Sequence, residues 1–227
     1  MSAKEKSGAG LPTFVVPGWG APFLHTEWMG RKLEEQGFSV WKLKLPFMGV
    51  GSMMKSAEQL GREIDHALEG SGASRVNLVG YSMGGLISRI YLQEFGGSLK
   101  LGRALFLGSP QEGVYAGYPV LITPGGRQVR RGSGFMRDLN ERRCSCEGGP
   151  RCLSVFLSKD GIILPSSSAV LPCGYNLKLD WPVFHWGIVF SPRILETGAG
   201  FLKGRLPANA VRLEEVIRRR RKAAAEG

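Results

Sequence analysis

The chain has 227 residues, a net charge of +11 at pH 7 and an apolar fraction of 43%, which is typical of one soluble globular domain and excludes a disordered protein. Its 33 glycines follow no three-residue period, which excludes collagen and indicates many tight turns. No apolar run reaches the roughly 18–20 residues that a membrane span needs. Pro and Gly interrupt the first apolar stretch, so we expect no signal peptide and a cytoplasmic location.

In chain order, strand-like and helix-like patterns alternate. Short β-branched or apolar runs predict strands at Thr13–Val16, Phe38–Leu45, Arg75–Gly80, Arg103–Leu107 and Leu153–Ser158. Helical spacing of apolar residues predicts helices over 26–36, 57–68, 86–95 and 208–222. Strands alternating with helices predict an α/β fold with a mainly parallel sheet of about six strands, covered by helices on both faces.

Residues 111–152 break this alternation. They are rich in Gly, Arg and Pro, and the pattern is helical only at Phe135–Arg142. An excursion of this length is usually functional or partly disordered, so we predict a lid or binding loop. We therefore expect a single domain with a core at 11–207, an insert at 111–152 and a basic C-terminal helix and tail at 208–227.

The positive charge is concentrated in two segments. Residues 127–151 contain seven arginines against three acids, and residues 203–222 contain eight basic groups against two acids. Such segments can bind anionic lipid or nucleic acid, although a solvated helix end is the simpler interpretation of the tail. Because no nucleic-acid-binding motif is present, we expect peripheral contact with an anionic membrane and no nucleic acid partner.

The four cysteines are Cys144, Cys146, Cys152 and Cys173. Their spacing differs from the paired C-x₂-C of a zinc ribbon, and a cytosolic chain disfavours structural disulfides. We expect free thiols, with a metal site in the insert or oxidised pairs as the alternatives. The chemistry below needs neither a metal nor a cofactor.

The strongest chemical signal is the segment Gly80-Tyr81-Ser82-Met83-Gly84-Gly85. It lies directly after a predicted strand and directly before a predicted helix, as a nucleophile elbow requires. Such a turn strains the serine backbone and leaves little room at the flanking glycines, while the helix N-terminus favours developing negative charge. We predict that Ser82 is a nucleophile, with a phosphate-binding or merely structural turn as the alternative.

A serine nucleophile needs a base, which in such folds follows it in the chain. Of the three histidines, His25 precedes the elbow and His66 points away from the apolar face of its helix. His185 follows Ser82 with room for an acid between them. We predict that His185 is the base, with a buried structural histidine as the alternative.

The orienting acid is expected at the end of a strand beyond the elbow. Asp160 follows Leu153–Ser158 through Lys159 and precedes a glycine, so we predict that Asp160 orients His185. Asp180, five residues before His185, is the competitor, and Asp138 is expected to be a surface charge.

The oxyanion hole is expected to use two backbone N–H groups. The first belongs to Met83, the residue after the nucleophile, and the second to Trp19 in the turn Pro17-Gly18-Trp19-Gly20 after the first strand. Proline has no N–H, which excludes Pro17. A turn without a catalytic role is the alternative for these glycines.

On these residues the chain resembles the α/β-hydrolase superfamily, and within it compact bacterial lipases and esterases. The resemblance spans about residues 12–203 and adds Leu107–Pro110, the segment 158–169 and the segment after His185, although Pro17 stands where many members have His. It implies an α/β-hydrolase fold and hydrolysis of carboxylic esters, lipid or acyl esters among them, through an acyl-serine intermediate. The alternatives are an acyltransferase or thioesterase with the same triad and a non-catalytic binding protein.

Overall fold

The computed structural model describes residues 10–21, 23–115, 118–142, 151–181 and 184–217. Within them the strands are β1 (Thr13–Val16), β2 (Val40–Lys42), β3 (Val76–Tyr81), β4 (Leu101–Leu107), β5 (Arg151–Leu157), β6 (Tyr175–Leu179) and β7 (Val211–Arg212). The helices are α1 (Phe23–Glu35), α2 (Met53–Ser71), α3 (Met83–Glu94), α4 (Gly97–Lys100), α5 (Tyr118–Leu121), α6 (Pro124–Val129), α7 (Gly134–Glu141), α8 (Gly187–Phe190) and α9 (Pro192–Leu202). Short 3₁₀ turns lie at Pro46–Gly49 and Ser166–Ala169.

The strands form one seven-stranded sheet in the order β2-β1-β3-β4-β5-β6-β7. The first six strands of this order pair in parallel, and β7 pairs antiparallel with β6 at the edge. The predicted mainly parallel sheet is therefore confirmed. The predicted helix over 208–222 is wrong at 208–212, where a turn leads into β7 (Val211–Arg212); residues 213–217 are helical, and the remainder lies outside the described residues.

Alternate residues of the central strands face two separate apolar layers. One layer combines Phe14, Leu78 and Phe106 with the buried faces of α2 and α3. The other combines Val15, Val79 and further strand residues with α1, α8 and α9. A sheet buried on both faces explains why the strands are continuous apolar runs, and it brings the carboxyl ends of β1 to β6 to one edge, where ligands bind in such folds.

The insert is attached to helix α3 by a buried arginine. Arg89 is 2% exposed, and its guanidinium donates to the carbonyls of Gln111 and Leu139, at 2.9 and 3.1 Å, and to Asn140 Oδ1 at 2.9 Å. Burial lowers the pKa of Arg89 to about 10, so the group remains charged at neutral pH. Arg89 thus joins the helix that follows Ser82 to both ends of the described insert.

We expect Arg89→Ala to lower the free energy of unfolding by about 3 kcal/mol, because several buried acceptors would lose a charged donor. Urea denaturation measures this loss. Arg62→Ala is the matched control, since Arg62 is exposed and pairs with Glu58 on the surface of α2, and we expect a change within about 0.5 kcal/mol. Equal effects of the two substitutions would show that Arg89 does not anchor the insert.

The cysteine prediction is wrong for two of the four residues. Cys152, buried in β5, and Cys173 are both disulfide-bonded, whereas free thiols were expected because a reducing compartment was assumed. Cys144 and Cys146 lie outside the described residues. No cluster of three or more His, Cys, Asp or Glu able to hold a metal is present in the part of the chain that the structure describes.

Within the same residues, no helix is both long and apolar enough to cross a membrane. The arginine run at 218–221 lies outside them, so the predicted role of the tail stays a prediction. Two of the described arginines of the insert form ion pairs within the protein: Arg131 with Glu112 and Arg142 with Glu94.

Candidate active site

Ser82 occupies the turn between β3 and α3 with φ 52° and ψ −125°, a strained conformation that non-glycine residues rarely adopt. The backbone around it is tightly packed. A Cβ atom on Gly80 would lie 2.6 Å from Gly85 Cα, and one on Gly84 would lie 2.2 Å from the carbonyl oxygen of Val16. These two positions therefore need glycine, and the turn holds the Ser82 side chain at the carboxyl edge of the sheet.

His185 lies between β6 and α8 and is 3% exposed. Its Nε2 lies 2.9 Å from Ser82 Oγ, and its Nδ1 lies 2.9 Å from the carboxylate of Asp160. A carboxylate can only accept, so Nδ1 carries the proton and Nε2 is free to accept the Ser82 hydroxyl. The ring also packs on Tyr81, with centroids 5.2 Å apart.

Asp160 follows β5 and is 2% exposed. Its Oδ1 accepts hydrogen bonds from the N–H groups of Ile162, at 3.1 Å, and Ile163, at 2.8 Å, while its own carbonyl accepts from His185 N–H at 3.1 Å. These bonds fix the carboxylate toward Nδ1. Burial, and second the charge of Asp160, raise the pKa of Tyr81. The phenol of Tyr81 therefore stays neutral beside His185.

The competing acid lies elsewhere. Asp180 is exposed, and its nearest cation is Lys178 at 3.6 Å. A hydrogen bond from Ser158, and next the charge of Lys178, lower its pKa, as for an ordinary surface carboxylate. Asp138 and His66 are also exposed, so the structure brings together Ser82, His185 and Asp160 and leaves Asp180, Asp138 and His66 outside.

Both predicted oxyanion donors lie beside Ser82. Met83 is the first residue of α3, where N–H groups have no acceptor within the helix. A Cβ atom on Gly18 would lie 2.9 Å from Ser82 Cβ, which places the turn of Trp19 against the nucleophile. Within the described residues, the backbone N–H of Trp19 has no hydrogen-bond acceptor, and Trp19, Ser82 and Met83 line the same cavity.

Ser82 lines a cavity of about 700 Å³. One wall is formed by the insert, including Val114, Val120 and Val129, and another by the loop after β5, including Ile162 and Leu164. None of the described residues that line it is Asp, Glu, Lys or Arg. The insert therefore forms an apolar wall of the cavity, and its role as a lid stays a prediction.

His25 is the site residue that chain order failed to indicate. It lies in the first turn of α1, lines the cavity, and contacts the rings of Tyr81 and Phe190 edge-on, with centroids 6.0 and 5.2 Å away. Burial, and second the charge of His185, lower its pKa, so His25 is neutral at neutral pH. Its position at the cavity depends on the tertiary fold, for which the sequence carries no local signal.

The geometry agrees with what sequence comparison finds. Residues 14–115 match the family model described as alpha/beta hydrolase fold, a stretch that runs from β1 through the Ser82 turn to the beginning of the insert. Comparison with curated protein sequences finds no match.

Three solved structures are similar to the chain in fold. Lipase B of Aspergillus fumigatus has a TM-score of 0.77 at 20% identity, covering 91% of this chain and 56% of its own. The mature lipase BlEst2 of Bacillus licheniformis has a TM-score of 0.71 at 17% identity, covering 89% and 96%. A metagenomic carboxyl esterase has a TM-score of 0.63 at 12% identity, covering 86% and 75%.

The order of the sheet, the serine on the turn after β3 and the family match over residues 14–115 show that the chain has an alpha/beta hydrolase fold. The three similar structures named above are described as lipases or as a carboxyl esterase. The chain spans 56% of the Aspergillus lipase and nearly all of the Bacillus one.

Proposed function

We propose that the protein hydrolyses carboxylic esters through an acyl-serine intermediate on Ser82. Ser82 Oγ attacks the ester carbonyl while its proton passes to His185 Nε2, and the leaving alcohol takes that proton as the C–O bond breaks. A water molecule, deprotonated by the same nitrogen, then releases the acid and restores Ser82. The Trp19 and Met83 N–H groups stabilise the oxyanion in both steps, and Asp160 stabilises the imidazolium.

One observation carries this proposal: the hydrogen-bonded chain from Ser82 through His185 to Asp160, with both distances at 2.9 Å, opens into an apolar cavity. A packing role alone would not explain a serine held with φ 52° against a histidine that a buried carboxylate orients. Strain of this kind is characteristic of functional sites.

The uncharged lining supports esters with an apolar acyl chain as substrates. A charged group inside the cavity would lose water without gaining a partner from the described lining residues, which is costly. Each methylene buried there instead contributes about 0.8 kcal/mol. A lipid or other long acyl ester fits this chemistry best.

The test combines a fluorophosphonate probe with p-nitrophenyl esters ranging from acetate to palmitate. We expect Ser82 to be labelled and kcat/KM to rise with acyl length until the cavity is filled. Neither labelling nor hydrolysis would favour the non-catalytic binding protein. If an added alcohol competes with water for the acyl group, the protein is an acyltransferase. If an added thioester competes with the esters as a substrate, it is a thioesterase.

We further propose that the protein meets its substrate at a lipid surface. Five segments that follow strands at the cavity edge contain no charged residue: 17–26, 45–54, 113–126, 161–174 and 181–192. They carry exposed apolar side chains, among them Phe23, Leu24, Phe47, Met48, Tyr115, Ile162, Leu164, Phe184 and Trp186. Such an apolar rim around a cavity mouth is typical of a lipid or protein contact surface, and the apolar cavity favours lipid.

Vesicle co-sedimentation separates the contributions of the rim and the basic tail. Phe47→Ser removes an aromatic side chain that is 85% exposed and is expected to weaken binding to neutral and anionic vesicles about tenfold. Leu99→Ser, which alters an equally exposed residue before β4 at the opposite edge of the sheet, is the control and leaves binding unchanged. Deleting residues 217–227 is expected to weaken binding to anionic vesicles alone, more strongly at low salt; unchanged binding in both variants would contradict the proposal.

The cytoplasmic location is likewise a proposal, and Cys152 and Cys173 weigh against it. Both are disulfide-bonded, and disulfides persist mainly in oxidising compartments. Alkylation of the thiols during isolation distinguishes the two compartments. Alkylated Cys152 and Cys173 would favour the cytoplasm, and cysteines left unmodified in disulfides would favour an oxidising compartment.

A further inference from the structure

We infer that Thr123, in the insert, is a positioning residue for the oxyanion hole, acting through the side chain of Trp19. The inference rests on the proposed function, because it concerns the turn that would supply the second oxyanion donor. It begins from a single contact: the indole Nε1 of Trp19 donates a 3.0 Å hydrogen bond to Thr123 Oγ1, across more than a hundred residues of sequence.

Thr123 is itself held firmly. It is the N-cap residue of α6, where its Oγ1 also accepts from Gly126 N–H at 3.1 Å. The hydroxyl donates to the carbonyl of Val120 at 2.8 Å. Its proton is therefore committed to Val120 and its lone pairs to the two N–H groups, so the hydroxyl is a fixed acceptor for Trp19.

Two further backbone hydrogen bonds join the turn after β1 and the insert to the loop after β2. Gly20 N–H donates to Met48 O at 2.9 Å, and Gly125 N–H donates to Val50 O at 3.1 Å. With the Trp19–Thr123 bond they close a ring that runs from the turn after β1, through the loop after β2, to the insert and back. The turn of Trp19 is thus held from both sides.

This ring bears on the chemistry because the Trp19 N–H has to meet an oxygen that becomes charged only as Ser82 attacks. Oxyanion stabilisation depends on donors already in place when that charge develops. Losing the Thr123 contact would leave the triad and the cavity wall after β5 in place and allow the Trp19 turn, which also lines the cavity, to move away from Ser82. The loss should therefore appear in kcat and in the affinity for a tetrahedral adduct, with little change in KM.

The experiment compares Thr123→Val, Trp19→Phe, their combination, and Thr123→Ser. Kinetics use the best p-nitrophenyl ester, and inhibition uses a trifluoromethyl ketone of the same acyl chain, whose adduct with Ser82 carries the oxyanion. We expect Thr123→Val and Trp19→Phe each to lower kcat and weaken ketone binding about tenfold, below the ~10²–10³ that follows loss of a whole donor. The double variant should lose no more kcat or ketone affinity than either single variant. Thr123→Ser keeps the hydroxyl and should retain the kcat and ketone affinity of the wild type.

Two controls separate positioning from stability. Trp19→Phe keeps the α6 cap that Thr123→Val removes, and Ser133→Ala removes the cap of α7, where Ser133 Oγ accepts from Met136 N–H at 3.1 Å, without touching the ring. Ser133→Ala should leave kcat and ketone affinity unchanged. An inactive wild type would overturn the proposed function and this inference together. An active wild type with an unaltered kcat and ketone affinity in Trp19→Phe, or additive losses in the double variant, would overturn the inference alone.

Discussion

Ser82→Ala is expected to abolish ester hydrolysis, with a loss on the order of 10⁶ in kcat. The substitution removes the atom that attacks the carbonyl and leaves His185 without the hydroxyl that its Nε2 contacts at 2.9 Å. The oxyanion donors and the cavity remain, so the variant keeps only the modest acceleration that binding and oxyanion stabilisation provide. Initial rates with p-nitrophenyl esters and fluorophosphonate labelling measure the loss.

The fold should survive this change, because alanine fits wherever serine does and the packing of Gly80 and Gly84 is untouched. Circular dichroism and thermal melting check this. Ser71→Ala is the control: Ser71 lies at the end of α2, where its hydroxyl donates to Ala67 O and accepts from Ala73 N–H, and this variant should retain full activity. If Ser82→Ala kept more than a few per cent of the rate, another group would have to be the nucleophile.

The Ser82 turn could be predicted from the sequence because its requirements are local. An apolar strand, glycines on both sides of the serine and an apolar helix occupy consecutive residues, and each is visible in the chain. The steric contacts at Gly80 and Gly84 explain why no larger residue stands there. Parallel pairing follows from the same alternation of strands and helices.

Other elements escaped prediction because their signals are weaker or tertiary. In β6, Asn176 is buried at a core position, where its amide pairs with both backbone groups of Leu171, so the strand lacks an apolar run. In α9, Gly198 lowers helix propensity, yet a Cβ atom there would lie 2.5 Å from a Leu105 methyl group. Close packing on β4 therefore requires a glycine at position 198, and this glycine weakens the helical pattern of the sequence. Ser191 and Pro192 nevertheless mark the beginning of α9.

The insert shows the same division. The prediction of a helix only at Phe135–Arg142 was wrong, because α5 and α6 are also helical, and Thr123 followed by Pro124 is a local signal for the beginning of α6. Which face of the insert lines the cavity depends on contacts with Trp19, Val50 and Arg89 that lie far away in sequence. Chain order could place His185 and Asp160 as candidates, but it gave no sign that His25 would join them at the cavity.

Asp160→Asn is expected to lower kcat by roughly 10⁴, because an amide facing Nδ1 can donate and so favours the tautomer in which Nε2 carries the proton. Ser82 would then have no acceptor. The asparagine oxygen can still accept from the Ile162 and Ile163 N–H groups as Asp160 Oδ1 does, so the loop and the melting temperature should be preserved. Steady-state rates and fluorophosphonate labelling should fall together.

Asp180→Asn is the matched control, since it makes the same chemical change five residues before His185 on an exposed carboxylate paired with Lys178. Its activity should equal that of the wild type, and its stability should change by no more than about 0.5 kcal/mol. The reverse ranking would assign the orienting acid to Asp180. Such a result would require the segment after β6 to rearrange in solution, because Asp160, not Asp180, lies against His185 Nδ1 in the structure. A large loss in both variants would instead point to the electrostatics of the whole edge rather than to one oriented carboxylate.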